Sequence, residues 1–261
     1  MRNDERKCDK SLGQFRHFYL LIGGNIAVDA TLSLQTRPSG YSVWEAEPIT
    51  HEKPAAIRQM STSNEVVKAA LSEGIRARQV VLDQHVENLV EIGKVCGQAI
   101  ENGNKILLCG NGGSAADAQH LAAELLIRLR PDVTRQTLPA IALAMDSSTL
   151  TACGNDLGFD VIFERMVEAL GRKGDVLVGI TTSGKSPNVL KALTKAKEMG
   201  ITTVGFLGGT GGPALSLCDY SFIAPTPVTG RIQELHITAG HIVMELVEDH
   251  LIEKGKLKIV K

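Results

Sequence analysis

An excess of basic residues is missing: 28 Lys and Arg stand against 29 Asp and Glu, for a net charge of −1. That excludes a sequence-independent nucleic-acid binder, which needs a basic face. Apolar runs of membrane length, about 18 residues or more, are also missing. The apolar stretch Phe18 to Val28 is broken by Gly23-Gly24-Asn25, and Asp4 and Glu5 dilute the basic residues ahead of it. It therefore does not read as a signal peptide. The five cysteines are odd in number and contain no CxxC pair, and three lie in apolar or helical contexts, so reduced thiols in a cytoplasmic protein are expected. The chain carries neither a Walker A loop nor the dinucleotide fingerprint, which argues against ATP and NAD. Internal repeats and low-complexity tracts are absent too.

What is present centres on residues 106–125. The apolar run Ile106 to Cys109 suits a strand buried on both faces. It breaks at Gly110-Asn-Gly-Gly113, where the backbone can approach a ligand closely. Ser114 then reads as an N-cap, and Ala115 to Arg130 as a helix rich in Ala and Leu. Strand, glycine turn and helix N-terminus together form an anion site, since free N–H groups and the helix dipole both favour negative charge. His120 and Glu124 lie four residues apart on one helical face, able to hold a metal or a sugar hydroxyl. Cys109 beside this turn reads as a nucleophile or as a core thiol, and a core thiol suffices.

A second turn of the same kind is Thr181-Thr-Ser-Gly-Lys-Ser186, followed by Pro187. Three hydroxyls, a glycine, an N-cap serine and a proline at the first helical position suit a phosphate monoester. Lys185 reads as an anion partner or a surface lysine. Asn155 and Asp156, read as a turn after a short helix, carry side chains that hydrogen-bond polyol hydroxyls. Near the end of the chain, Gln233, Ile237 and His241 fall on one helical stripe. His236 and His241, taken alone, are as well explained by packing.

Residues 1–59 show no sustained hydrophobic period and include Pro38, Pro48, Pro54 and the single Trp44. They are expected to be an upstream extension without order, with translation beginning at Met60, or else a regulatory arm. Thr62 and Glu65 have capping-box spacing, and the pattern is helical from Glu65 to Asn102, with Gly103 as the stop. The rest alternates strand and helix, the sign of parallel βαβ winding. Strands are expected near 105–109, 140–143, 176–180, 202–206 and 220–224. Helices are expected near 114–129, 147–152, 159–170, 187–199 and 213–217, with a last one over 230–252. The fold class is α/β: a five-stranded open parallel sheet with helices on both faces and long N- and C-terminal helices. Such sheets bind ligands at the carboxyl ends of their strands.

The stretches Gly110-Asn-Gly-Gly-Ser-Ala-Ala-Asp-Ala-Gln-His120, Thr181-Thr-Ser-Gly-Lys-Ser186 and Arg231-Ile-Gln-Glu-Leu-His236, with His241, resemble motifs of the sugar isomerase (SIS) domain. The similarity is to its sedoheptulose 7-phosphate isomerases and covers about Ser61 to Ile252, so residues 60–261 are expected to form one SIS domain. The resemblance implies one zinc ion per subunit, held by His120, Glu124, Gln233 and His241. It implies sugar-phosphate contacts from Asn111, Gly112, Gly113, Ser114, Glu124, Asn155, Asp156, Thr181, Thr182, Ser183, Ser186 and Gln233. Thr181 stands where many relatives have Ser, which keeps the hydroxyl. Ketose–aldose isomerisation through an enediol follows, with Glu124 as base and His241 as acid. The product implied is D-glycero-D-manno-heptose 7-phosphate, an entry to nucleotide-activated heptose for surface polysaccharide such as lipopolysaccharide. A homotetramer with sites at subunit interfaces is also implied.

Gln233 and His241 are eight residues apart, about 12 Å along a helix. That separation leads to the expectation that His120 and His241 of one site come from different chains. The competing reading is a non-catalytic SIS protein that regulates replication initiation through protein binding. A sugar-phosphate sensor controlling transcription would need a helix-turn-helix domain, and residues 1–59 are too short and irregular to supply it.

Overall fold

The computed structural model describes residues 62–257 throughout and, before them, four short strands within residues 20–46. These pair as two antiparallel hairpins, β1 (Leu20–Ile22) with β2 (Asn25–Ala27) and β3 (Leu32–Thr36) with β4 (Ser42–Ala46). They belong to a unit of their own, Met1–Ser61, separate from Thr62–Lys261. The expectation that residues 1–59 lack order falls on a stretch that, these strands apart, lies outside the described residues.

The second unit is an α/β domain. Its sheet has the order β6-β5-β7-β8-β9, all parallel: β5 (Ile106–Gly110), β6 (Ala140–Ala142), β7 (Val176–Thr181), β8 (Thr202–Leu207) and β9 (Tyr220–Ile223). Every residue of β5 and β7 is buried, as their unbroken apolar runs require for strands covered on both faces. Alternate residues of β5 serve two cores. Ile106 and Leu108 pack with Leu121, Leu125, Val243 and Val247, whereas Leu107 and Cys109 pack with Phe163, Val167, Val189 and Leu193. On the first face lie α1 (Ser63–Gln84), α2 (Val86–Glu101), α3 (Gly113–Leu126) and α7 (Thr229–Glu253). The second face carries α5 (Ile162–Leu170) and α6 (Pro187–Glu198). The short α4 (Ser147–Asp156), capped by Asp146 accepting from the Ser148 N–H at 3.0 Å, buries none of its residues.

Thr62 and Glu65 close the expected capping box on α1. Five local readings differ. The helix expected over 65–102 breaks at His85, whose φ of −123° leaves the helical region. The break lets α2 lie close on α7, where a Cβ on Gly93 would come within 2.5 Å of Leu246. Helix α3 is capped by Gly112, not Ser114: Gly112 takes φ +55°, and Ser114 is buried inside the first turn, its N–H bonded to the Asn111 carbonyl at 3.0 Å. The same helix stops at Leu126, short of Arg130, because the carbonyls of Glu124 and Leu125 accept from the Arg135 guanidinium. Asn155 and Asp156 close α4 and are not a turn beyond it, and residues 212–217 form a 3-10 turn.

Candidate active site

The chain leaves β5 through α3 to β6 on one side, then returns to β7 on the other. The turns after β5 and β7 therefore meet at the point where the winding direction changes, the usual ligand crevice of such sheets. A reciprocal amide pair ties them: Asn111 Nδ2 donates to Asn188 Oδ1 at 2.9 Å, and Asn188 Nδ2 returns to Asn111 Oδ1 at 2.8 Å. Asn188 is buried, and nothing in its position after Pro187 marked it in the sequence. Asn111, expected as a sugar-phosphate contact, thus has its amide engaged with Asn188.

In the second turn, Thr181 Oγ1 and Ser186 Oγ are 3.1 Å apart, and the Lys185 N–H donates to Ser183 Oγ at 3.2 Å. Ser186 flanks α6 as expected, with Pro187 in its first turn, yet its side chain makes no capping bond. Gly184 takes φ +64°, and a Cβ there would lie 1.9 Å from the Gly211 carbonyl oxygen. Only glycine lets this turn sit against the next loop. Thr182 is half-buried and Ser183 exposed, so both hydroxyls can face a ligand.

Two turns along α3 from Gly113, the structure gathers His120, Glu124 and His241. One ligand atom from each lies within 4.8 Å of the other two. His120 Nε2 is 2.8 Å from His241 Nε2 and 3.3 Å from Glu124 Oε1, and the rings meet edge to face with centroids 4.9 Å apart. Two imidazole nitrogens and a carboxylate oxygen aimed at one point are the donor set of a catalytic metal site, which keeps further positions for substrate. The expectation that His120 and His241 come from different chains is overturned. The crossing of α3 and α7 joins them within one chain, and the length of α7 alone says nothing about that crossing. Gln233 lies further toward the start of α7, where its side chain covers Gly113; a Cβ on Gly113 would be 2.6 Å from Gln233 Nε2.

Asp117, one turn before His120 on the same face, was not singled out from the sequence. Its Oδ2 is buried without a hydrogen-bond partner. Burial raises the carboxyl above its usual range, while the imidazoles of His120 and His241 pull it down. Its spacing of three residues from His120 was the available signal. Asn155 and Asp156 are exposed on α4, Asn155 Nδ2 donating to Asp156 Oδ1 at 2.7 Å. His236 is a core residue: fully buried, its Nε2–H donates to the Leu207 carbonyl at 2.9 Å. Burial drives its pKa down to about 4. Cys109 is a core thiol, pushed up to about 12 by burial and then by Cys218, which removes it as a nucleophile at neutral pH.

Comparison with known proteins agrees with this geometry. Residues 71–208 match the SIS domain. The phosphoheptose isomerase of Aquifex aeolicus is 49% identical over 191 residues, 73% of this chain and 99% of that protein. The chain belongs to the phosphoheptose isomerase family. A second family member, from Clostridium acetobutylicum, is 50% identical over 71% of this chain and 94% of its own length. Among solved structures, the phosphoheptose isomerase of Neisseria gonorrhoeae superposes with a TM-score of 0.67 at 43% identity, covering 71% of this chain and 98% of that one. The Francisella tularensis enzyme gives 0.70 at 33%, covering 72% and 100%. Measured against the phosphoheptose isomerase of Aquifex aeolicus, 70 residues of this chain have no counterpart.

Proposed function

We propose that the chain converts sedoheptulose 7-phosphate to D-glycero-D-manno-heptose 7-phosphate through an enediol. The observation that carries the reading is the convergence of His120, Glu124 and His241 on α3 and α7, with α3 rising from the glycine turn beside the hydroxyl-rich one. The phosphate is taken by Thr181, Thr182, Ser183 and Ser186, whose hydroxyls and neighbouring amides suit an anion at the start of α6. Gly112 and Gly113 offer backbone donors and Ser114 its hydroxyl at the start of α3, and Asn155 and Asp156 serve the sugar hydroxyls. Glu124 removes the proton from C1 and returns it at C2, while His241 moves the hydroxyl proton between O1 and O2.

His120, Glu124 and His241, with Gln233 as a fourth donor, would hold one zinc ion per subunit. Bound there, zinc supplies Lewis acidity at the substrate oxygens. Zinc held there would weaken Glu124 as a base, so the carboxylate would either alternate between holding the ion and moving the proton or act while loosely ligated.

A homotetramer is supported by Val66, Val67, Leu71, Ile75 and Leu82, an exposed apolar stripe on α1, and sites bordering subunit interfaces go with it. Unpaired Cys96, Cys109, Cys153 and Cys218 suit a reducing cytoplasm. Among the described residues no helix is long and apolar enough to cross a membrane. Heptose for lipopolysaccharide or a related glycan is the proposed use of the product. Residues 1–59 are proposed to be dispensable. No observation favours the replication-regulator reading, since the Glu124 and His241 pair needed for catalysis is assembled.

The test is to incubate zinc-loaded protein with sedoheptulose 7-phosphate and follow the sugar by NMR. New aldose resonances are expected. Absence of turnover with every divalent metal tried overturns the reading.

A further inference from the structure

Nothing in α3 alone or α7 alone makes the metal site. His120 and Glu124 ride on the first helix and His241 on the second, so their donor atoms meet only if the helices cross at one depth and in one register. With zinc bonds of about 2.0–2.2 Å, a slip of one ångström separates the set. Beside the histidines, Gly240 permits that closeness: a Cβ there would lie 2.5 Å from Leu121.

A second contact fixes the crossing from the other side. Arg135 Nε donates to Glu248 Oε1 at 2.6 Å. The same guanidinium donates through Nη2 to the Glu124 carbonyl at 2.8 Å, and through Nη1 to the carbonyls of Leu125 at 2.8 Å and Gln136 at 3.0 Å. Arg135 therefore caps α3 at the residue that carries the Glu124 carboxylate. Glu248 lies seven residues, two turns, beyond His241 on α7, so it shares that histidine's face. Its other oxygen accepts from Arg130 Nε at 2.7 Å, and Arg130 reaches on to the exposed Asp249.

Both Arg135 and Glu248 side chains are 0% exposed. Burying two charges is a poor way to gain stability, because an apolar pair of equal volume often does as well or better. What such a pair does enforce is register, since any slip between the helices would strand a charge.

We propose that Arg135 and Glu248 are positioning residues of the metal site, their buried pair setting the crossing of α3 and α7 that brings His120, Glu124 and His241 together. The proposal rests on the metal reading above.

The test is Arg135→Lys, which keeps a cation for Glu248 but cannot fork to Glu248 and two α3 carbonyls at once. Zn2+ affinity is measured by chelator competition, and site geometry by the d–d spectrum of the Co2+-loaded protein. Expected are a Kd weaker by about 10–100-fold, the size typical of lost support behind ligands, a changed Co2+ spectrum, and sugar-phosphate affinity of the metal-free protein within about twofold of wild type. The control is Lys105→Gln, which breaks a second largely buried pair, Lys105 Nζ to Asp175 Oδ2 at 2.5 Å, at the start of β5 and β7. It should lower Tm without moving the metal Kd.

Should Arg135→Lys fail to fold, Arg135→Met/Glu248→Leu removes both charges at similar volume and should show the same loss of metal affinity. Either variant folded, with wild-type Kd and Co2+ spectrum, makes the pair merely structural and overturns the proposal. If His241→Ala binds zinc as tightly as wild type, the metal reading itself fails, and the proposal with it.

Discussion

The two ends of the site on α3 are built from different materials. At its start, the turns Gly110–Ser114 and Thr181–Ser186 offer backbone amides and hydroxyls, each within a few residues of a strand end. Further along, His120 and Glu124 need a partner 121 positions away in sequence, His241. The first end is set by local chain geometry and glycine, the second by how two helices cross. Damage to one should leave the other working, and the largest expected effect tests that division. Glu124→Gln keeps shape and removes the base, so kcat should fall about 10²–10⁴-fold while KM and Tm stay near wild type. A variant keeping more than half the wild-type rate removes Glu124 from the chemistry.

The converse break is Gly184→Ala. Alanine at φ +64° is strained, and its Cβ would strike the Gly211 carbonyl, a backbone atom that cannot rotate aside. Stability should drop by about 1–3 kcal/mol. The KM for the sugar phosphate should rise by about 10–100-fold as one charged hydrogen bond is lost, with zinc affinity unchanged. A milder change probes the seam between the ends. Gly113→Ala places its Cβ against the amide of Gln233, a side-chain tip able to swing away. If Gln233 serves both substrate and metal, KM and metal Kd should shift together, each by less than about tenfold. Movement of only one would assign Gln233 to that end alone.

The same division explains what could be read in advance. The five strands and the winding were legible because buried parallel strands leave unbroken apolar runs between turns, as at Ile106–Cys109 and Val176–Ile180. Both glycine turns, proposed above to meet the sugar phosphate, were legible as turns because their glycines, hydroxyls and Pro187 act within a few residues. The stop of α3 was not, because its carbonyls are taken by Arg135, beyond the helix, and no propensity at Leu126 announces that. The break at His85 depends on the close approach of α2 to α7 at Gly93, again a tertiary matter. The spacing of His120 and Glu124 already suggested a metal pair, and His241 joined them only through the family's motifs. Reading α7 as a lone rod even led to the wrong assignment of His120 and His241 to different chains.

His236 lies on α7 between Gln233 and His241 and tests whether the helix is held between the two ends as a neutral strut. Its Nε2–H donates to the carbonyl of Leu207, the last residue of β8, in a core where Phe206 and Phe222 flank the ring. Burial holds its folded-state pKa at about 4, below the ordinary 6.5. In the unfolded chain it takes up a proton as pH falls below 6.5, and in the folded chain only near 4. Above pH 6.5 it should therefore contribute no pH dependence. Between 6.5 and 4 stability should fall as the unfolded state binds the extra proton, by at most about 3 kcal/mol, with no further loss from this group below about 4. The measurement is Tm against pH for wild type and His236→Gln, whose amide can still donate to Leu207 but cannot titrate. The variant should flatten the curve between pH 6.5 and 4 and leave kcat at pH 7.5 within about twofold, since His236 bonds to backbone and not to the metal trio. Identical slopes in the two proteins would show that the ring is already charged in the fold, and that α7 is held there by something other than a neutral imidazole.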